Sequence, residues 1–137
     1  MKIGELARRS GRSIHTLRYY EAQKLMPNVV RDAGGRRVYS ERHLDWLDFL
    51  ARLRRSGMSL AEMKEYTALV SRGDATLARR RDFLCVHRNR VQAAVEDLQN
   101  SLALIDEKIA LYAKWVARGS SDDVTARASS RRRRRNA

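Results

Sequence analysis

Thr16-Leu17-Arg18-Tyr19-Tyr20-Glu21 is the stretch on which the reading of this chain turns. Ahead of it stand Ile3, Leu6 and Ala7 at helical spacing, and then Ser10-Gly11, a pair that ends one helix and turns the chain. Ser13 can cap a second helix, which carries Ile14, Leu17 and Glu21 on one side. Two short helices joined by a glycine turn make a helix-turn-helix pattern. With Leu17 facing the core, Arg12, His15, Thr16 and Tyr19 are expected to point outward.

Beyond the second helix the chain is broken by Pro27, its single proline, and by Gly34-Gly35. Residues 28–39 read as a hairpin: Val29-Val30 and Val38-Tyr39 are β-prone, and Asp32-Ala33-Gly34-Gly35 tolerates the backbone of a tight turn. Arg31, Arg36 and Arg37 decorate it. Core packing explains so much charge poorly; a wing that touches phosphates explains it well, because guanidinium forks match phosphate oxygens.

Ser40 can cap a third helix whose apolar face holds Leu44, Trp46, Leu47, Phe49, Leu50 and Leu53, with Gly57 as its left-handed end. Ser59-Leu60-Ala61-Glu62 has the form of a capping box that opens a fourth helix. From about Thr76 the pattern changes to heptads. Val91, Val95, Leu98, Leu102, Ile105, Ile109, Tyr112 and Val116 alternate at spacings of four and three without a break. A lone helix would expose that seam, so the sequence predicts dimerisation through it. Residues 118–137 are polar, end in Arg131 to Arg135, and are expected to be a disordered tail.

The net charge of +13 is not a property of the tail alone, since residues 1–70 hold 14 Lys and Arg against 8 Asp and Glu. Such a surface favours a polyanion, with nucleic acid ahead of an anionic membrane. No run approaches the ~18 apolar residues of a membrane span, and residues 1–13 lack a signal-peptide core. The single Cys85 cannot form an internal disulfide and fits a reducing cytosol. A cytoplasmic location follows as the expectation.

Ile3-Gly4-Glu5-Leu6-Ala7, Thr16-Leu17-Arg18-Tyr19-Tyr20-Glu21, Arg37-Val38-Tyr39-Ser40 and Ser56-Gly57-Met58-Ser59-Leu60, in that order, resemble the MerR family of bacterial transcription regulators. Arg36 stands where that family usually has tyrosine, and Lys24 where it usually has glycine. The resemblance implies a mainly α fold: a winged helix-turn-helix DNA-binding domain (1–70), then a long dimerisation helix (75–117) forming an antiparallel coiled coil. It also implies a homodimer on double-stranded promoter DNA, distorting it to control initiation by RNA polymerase, with an effector as the switch.

Within that frame His15 and Thr16 are expected at base edges, although His15 also reads as an ordinary exposed histidine. Arg12 shares their outward face. Arg18 and Tyr19 match the family motif as phosphate or sugar contacts, and Arg36, Arg37 and Tyr39 belong to the wing that grips the backbone. Tyr20 reads as core. Cys85 falls outside the seam between Arg81 and Arg88, which would favour a thiolate; a redox or electrophile sensor competes here with a small side chain beside a domain contact. No cofactor is called for, and His43, His87 and Cys85 are spaced too poorly for a metal site. An enzyme is disfavoured, for want of a phosphate-cradling glycine loop, a carboxylate pair or a nucleophile with its base. The alternative is a less specific nucleoid-like or RNA-binding protein.

Overall fold

The computed structural model describes residues 1–121; the arginine run 131–135 lies outside the described residues. In chain order the elements are α1 (Ile3–Ser10), α2 (Ile14–Ala22), β1 (Val30–Arg31), β2 (Arg37–Val38), α3 (Glu41–Arg55), α4 (Leu60–Ser71), a 3-10 turn (Asp74–Thr76) and α5 (Leu77–Arg118). The chain divides into two compact units, Met1–Val91 and Gln92–Ala137.

Helix ends fall where side chains satisfy orphan backbone groups. Gly11, at φ 70, closes α1. The Ser13 hydroxyl accepts from the Thr16 amide at 3.0 Å and opens α2. Ser59 and Glu62 form a reciprocal capping box at the start of α4. His43 plays the carboxylate's part at α3, where its Nδ1 accepts from the Ser40 amide at 3.0 Å. Nε2 therefore carries the proton and donates to the Pro27 carbonyl at 2.8 Å.

Two apolar clusters hold the first unit. One joins Leu6, Ala7, Leu17, Tyr39 and Leu47, so it ties the helix-turn-helix to the base of the hairpin and to α3. The other joins Leu25, Leu50, Leu53, Met58, Met63 and Tyr66 beneath α3 and α4, and Phe83 and Leu84 of α5 pack against it. Tyr66 is flanked by Trp46, with ring centroids 5.6 Å apart, and by Phe83 at 5.9 Å. Each ring buries a large apolar area, so this stack holds the first turns of α5 against α3 and α4. Leu84 thus serves the core instead of continuing the seam toward the amino end of α5.

In the second unit Trp115 is buried, while most of the apolar ladder of the helix is exposed among the described residues. Leu98 is 69% exposed, Ile109 60% and Val116 80%, and Leu102 and Ile105 are exposed as well. Near its end Tyr112 and Trp115 meet edge to face at 5.3 Å, with the Lys108 ammonium 5.2 Å from the Tyr112 ring centre. Among the described residues no helix is long and apolar enough to cross a membrane.

Candidate nucleic-acid interface

The hairpin is small and tightly held. Val30 pairs with Val38 and Arg31 with Arg37 in antiparallel register. Asp32 organises the turn: its Oδ1 accepts from the amides of Gly34 at 2.9 Å and Arg36 at 3.0 Å, and its Oδ2 lies 2.5 Å from the Lys2 ammonium. The lysine contact first, and the Arg36 amide after it, hold the Asp32 carboxyl below its ordinary range. Gly35 takes φ 79, which a residue with a Cβ would rarely adopt. The result is a stiff turn that presents Arg31, Arg36 and Arg37 to solvent.

Between this wing and α2 lies a cleft of about 750 Å³, lined by Lys2, Arg18, Arg31, Arg36, Arg37, Tyr39 and Glu21 among others. Five cations around one carboxylate make a groove suited to a phosphate backbone. Arg18 and Tyr19 are exposed on α2 at its side, and His15 is exposed one turn earlier. Thr16 is half-buried, and its hydroxyl oxygen accepts from Ser13 Oγ at 2.9 Å. The structure therefore brings Arg18, Arg36 and Arg37 together around one groove, with His15 and Tyr19 on the open face of α2.

Two expectations need correction. Arg12 does not point outward. It lies in the turn before α2, where helical spacing does not apply. Its guanidinium donates to the carbonyls of Ser10 at 3.0 Å and Leu47 at 3.2 Å and sits 3.6 Å from Asp48, leaving its side chain 18% exposed. Arg12 staples the helix-turn-helix to α3. Tyr39 does not grip a backbone phosphate from the surface either, being only 2% exposed within the first cluster. It follows the end of β2, its amide donates to the Met1 carbonyl at 2.8 Å, and its hydroxyl donates to Glu21. Burial, and then the Glu21 carboxylate, push the Tyr39 phenol well above its ordinary range, so it remains a donor.

Glu21 is the residue that sequence reasoning passed over. Its carboxylate accepts from Tyr39 and pairs with Arg37 Nε, and its side chain is 14% exposed. The available signal was its helical side, shared with Leu17, which marked it as inward-facing.

Cys85 is exposed and free. Arg81 turns to Asp82 at 3.1 Å and Arg88 to Asn89 at 3.3 Å, so neither guanidinium is committed to the thiol as the spacing suggested. Among the described residues no group of three or more His, Cys, Asp or Glu is placed to hold a metal ion.

With this geometry established, likeness to known proteins is informative. Residues 1–69 match the MerR HTH family regulatory protein, and residues 44–108 match the MerR DNA-binding family. An HTH-type transcriptional regulator of Haemophilus influenzae is 35% identical over 114 residues, 83% of this chain and 84% of that protein. The HTH-type transcriptional regulator AdhR of Bacillus subtilis is 37% identical over 91 residues, 66% of this chain and 65% of AdhR. Among solved structures, HiNmlR, a MerR family regulator lacking the sensor domain and bound to promoter DNA, superposes with a TM-score of 0.69. It shares 34% identity, over 87% of this chain and 94% of its own. These likenesses do not favour a nucleoid-like or RNA-binding protein. The chain belongs to the MerR family of helix-turn-helix transcription regulators, and it is a sequence-specific DNA-binding regulator and not an enzyme.

Proposed function

We propose that the protein acts as a homodimer on promoter DNA, its two α5 helices packed antiparallel and its two helix-turn-helix units in successive half-sites. The observation that carries this reading is the apolar ladder on α5, in which Val95, Leu98, Leu102, Ile105, Ile109, Tyr112 and Val116 are all exposed among the described residues. Burying it against a second copy would remove a continuous apolar stripe from water, at roughly 25 cal/mol per Å². A two-fold dimer reads a symmetric operator, so the half-sites should be related by the same axis.

On the operator, α2 lies in the major groove with His15 and Thr16 nearest the base edges. Arg18, Tyr19, Arg36 and Arg37 take backbone phosphates on either side. Seating both halves on a promoter with widely spaced −35 and −10 elements bends and untwists the duplex, a deformation of about 1–6 kcal/mol offset by these contacts. RNA polymerase then engages both elements. Such action on a promoter belongs in the cytoplasm. Exposed Cys85 supports an electrophile-responsive switch on the outer side of α5.

The test is transcription in vitro from the bound promoter and from a version with its spacer shortened by two base pairs. The reading expects activation on the native spacer and no dependence on the protein after shortening. Equal dependence on both templates would remove DNA distortion from the account.

A further inference from the structure

The cleft between wing and α2 is strongly basic, yet its floor holds a carboxylate. Glu21 is the single acid among the described residues lining it, against Lys2, Arg18, Arg31, Arg36 and Arg37. A protein selected only for attraction to DNA gains nothing from a negative charge there, because a carboxylate a few ångströms from a phosphate is repulsive. Nor does Glu21 behave as a solvated surface residue, since its side chain is 14% exposed and a hydrogen-bond donor, Tyr39, and an ion-pair partner, Arg37, converge on it from the wing.

The geometry of the Arg37 contact is specific. Glu21 takes Nε, the edge of the guanidinium nearest the chain. The two Nη groups remain as a fork, and this is the edge that meets a phosphate in a bidentate contact. A free arginine at the tip of a hairpin would sample many rotamers and contact phosphates wherever they pass. Held through Nε, it offers the fork in one orientation, while its charge is largely cancelled toward DNA that is not seated against it.

We propose that Glu21 is a specificity-determining positioning residue. It orients the Arg37 fork for one phosphate of the seated operator and at the same time weakens the cleft's attraction for loosely held DNA. The inference rests on the regulator reading above and adds a residue to it. Tyr39 donates its hydroxyl to Oε1 of the same carboxylate and Arg37 pairs with Oε2, so the Arg37 contact does not depend on the tyrosine.

The experiment compares wild type, Glu21→Gln, Arg37→Ala, the double variant and Tyr39→Phe. Each is titrated against a duplex selected from a random pool by the wild type, and against its scrambled sequence, at several salt concentrations. Glu21→Gln keeps the shape and an acceptor for Tyr39, so its melting temperature should stay near that of the wild type. Its affinity for the scrambled duplex should rise by roughly one salt-slope unit's worth of counterion release. Its ratio of selected to scrambled affinity should fall about tenfold. Arg37→Ala should lower the same ratio, and the double variant should lower it no further than Arg37→Ala does, because Glu21 acts through Arg37. Tyr39→Phe should retain most of the ratio.

Three results would overturn the proposal: an unchanged ratio in Glu21→Gln, additive losses in the double variant, or a loss in Tyr39→Phe as large as that in Glu21→Gln. The last would reduce Glu21 to packing. A wild type that fails to discriminate between the two duplexes would remove the regulator reading together with this inference. Discrimination by wild type and Glu21→Gln alike removes only the role of Glu21.

Discussion

His87 Nε2 lies 2.8 Å from Ser56 Oγ, and this bond joins the early part of α5 to the end of α3. The Ser56 hydroxyl proton is already given to the Leu53 carbonyl at 2.9 Å, so the imidazole must be the donor. Nδ1 is then the acceptor that faces Arg90 Nη2 at 3.5 Å. Arg90 in turn pairs with Glu62, the carboxylate of the α4 capping box. One chain of polar contacts thus fastens α5 to the α3–α4 corner. His87→Ala should remove a buried ring and leave its partners in search of water, costing about 2 kcal/mol. Chemical denaturation measures it. A loss below ~0.5 kcal/mol would mean that the aromatic stack holds α5 unaided.

Glu62 gives that junction a pH dependence. The Arg90 contact, followed by the Ser59 hydroxyl and amide, holds its carboxyl at about 2 instead of the usual 4.5. A depressed carboxyl stabilises the fold when ionised, so the contribution is complete above pH 4.5 and is lost as pH falls from there toward 2. Glu62→Gln should flatten that part of the melting-temperature profile and leave the neutral range without a slope change. A variant with the wild-type acid limb would show that other carboxylates govern it.

Lys24 departs from the family's usual glycine, and it sits at φ 60, in the left-handed region. The turn it makes is otherwise well bonded, with the Leu25 amide donating to the Tyr20 carbonyl at 2.9 Å. Lys24→Gly relieves the Cβ strain against glycine's larger unfolded-state entropy, for a net stabilisation of about 0.5–1 kcal/mol. Equilibrium unfolding in urea would show this as a raised midpoint. A lowered midpoint would mean that the lysine stem contributes packing worth more than the strain.

If Cys85 is the switch, Cys85→Ser should bind the promoter as the wild type does and lose its response to thiol-reactive compounds, because only the thiolate attacks an electrophile. A promoter reporter read with and without such a compound decides it. Equal responses in the two proteins would remove the cysteine from the mechanism.

These residues also mark how far the sequence can be read. Helix boundaries were legible because Gly11, Ser13, Ser40, Gly57 and Ser59 state them chemically, and the long α5 helix was legible because its apolar spacing is unbroken over Val91 to Val116. Arg12 and Tyr39 were misread for a shared reason. Each lies just outside a regular element, Arg12 two residues before α2 and Tyr39 one after β2, where neither helical nor strand periodicity says which way a side chain points. Glu21 was placed on the correct side of its helix, but nothing in a one-dimensional pattern links it to Arg37 and Tyr39, 16 and 18 residues on. His87 likewise meets Ser56 only after α5 has packed on the aromatic stack.

In the proposed function the exposed ladder of α5 makes the dimer that reads DNA. Leu98→Asp combined with Leu102→Asp places two charges in the centre of that ladder, where burial in a dimer would leave them without partners. Sedimentation equilibrium of the wild type and the double variant is the direct measurement. A dimer is expected for the wild type, and for the variant a folded monomer whose melting temperature is set by residues 1–91. A variant that sediments as a dimer, or a wild type that sediments as a monomer at micromolar concentration, would contradict this reading.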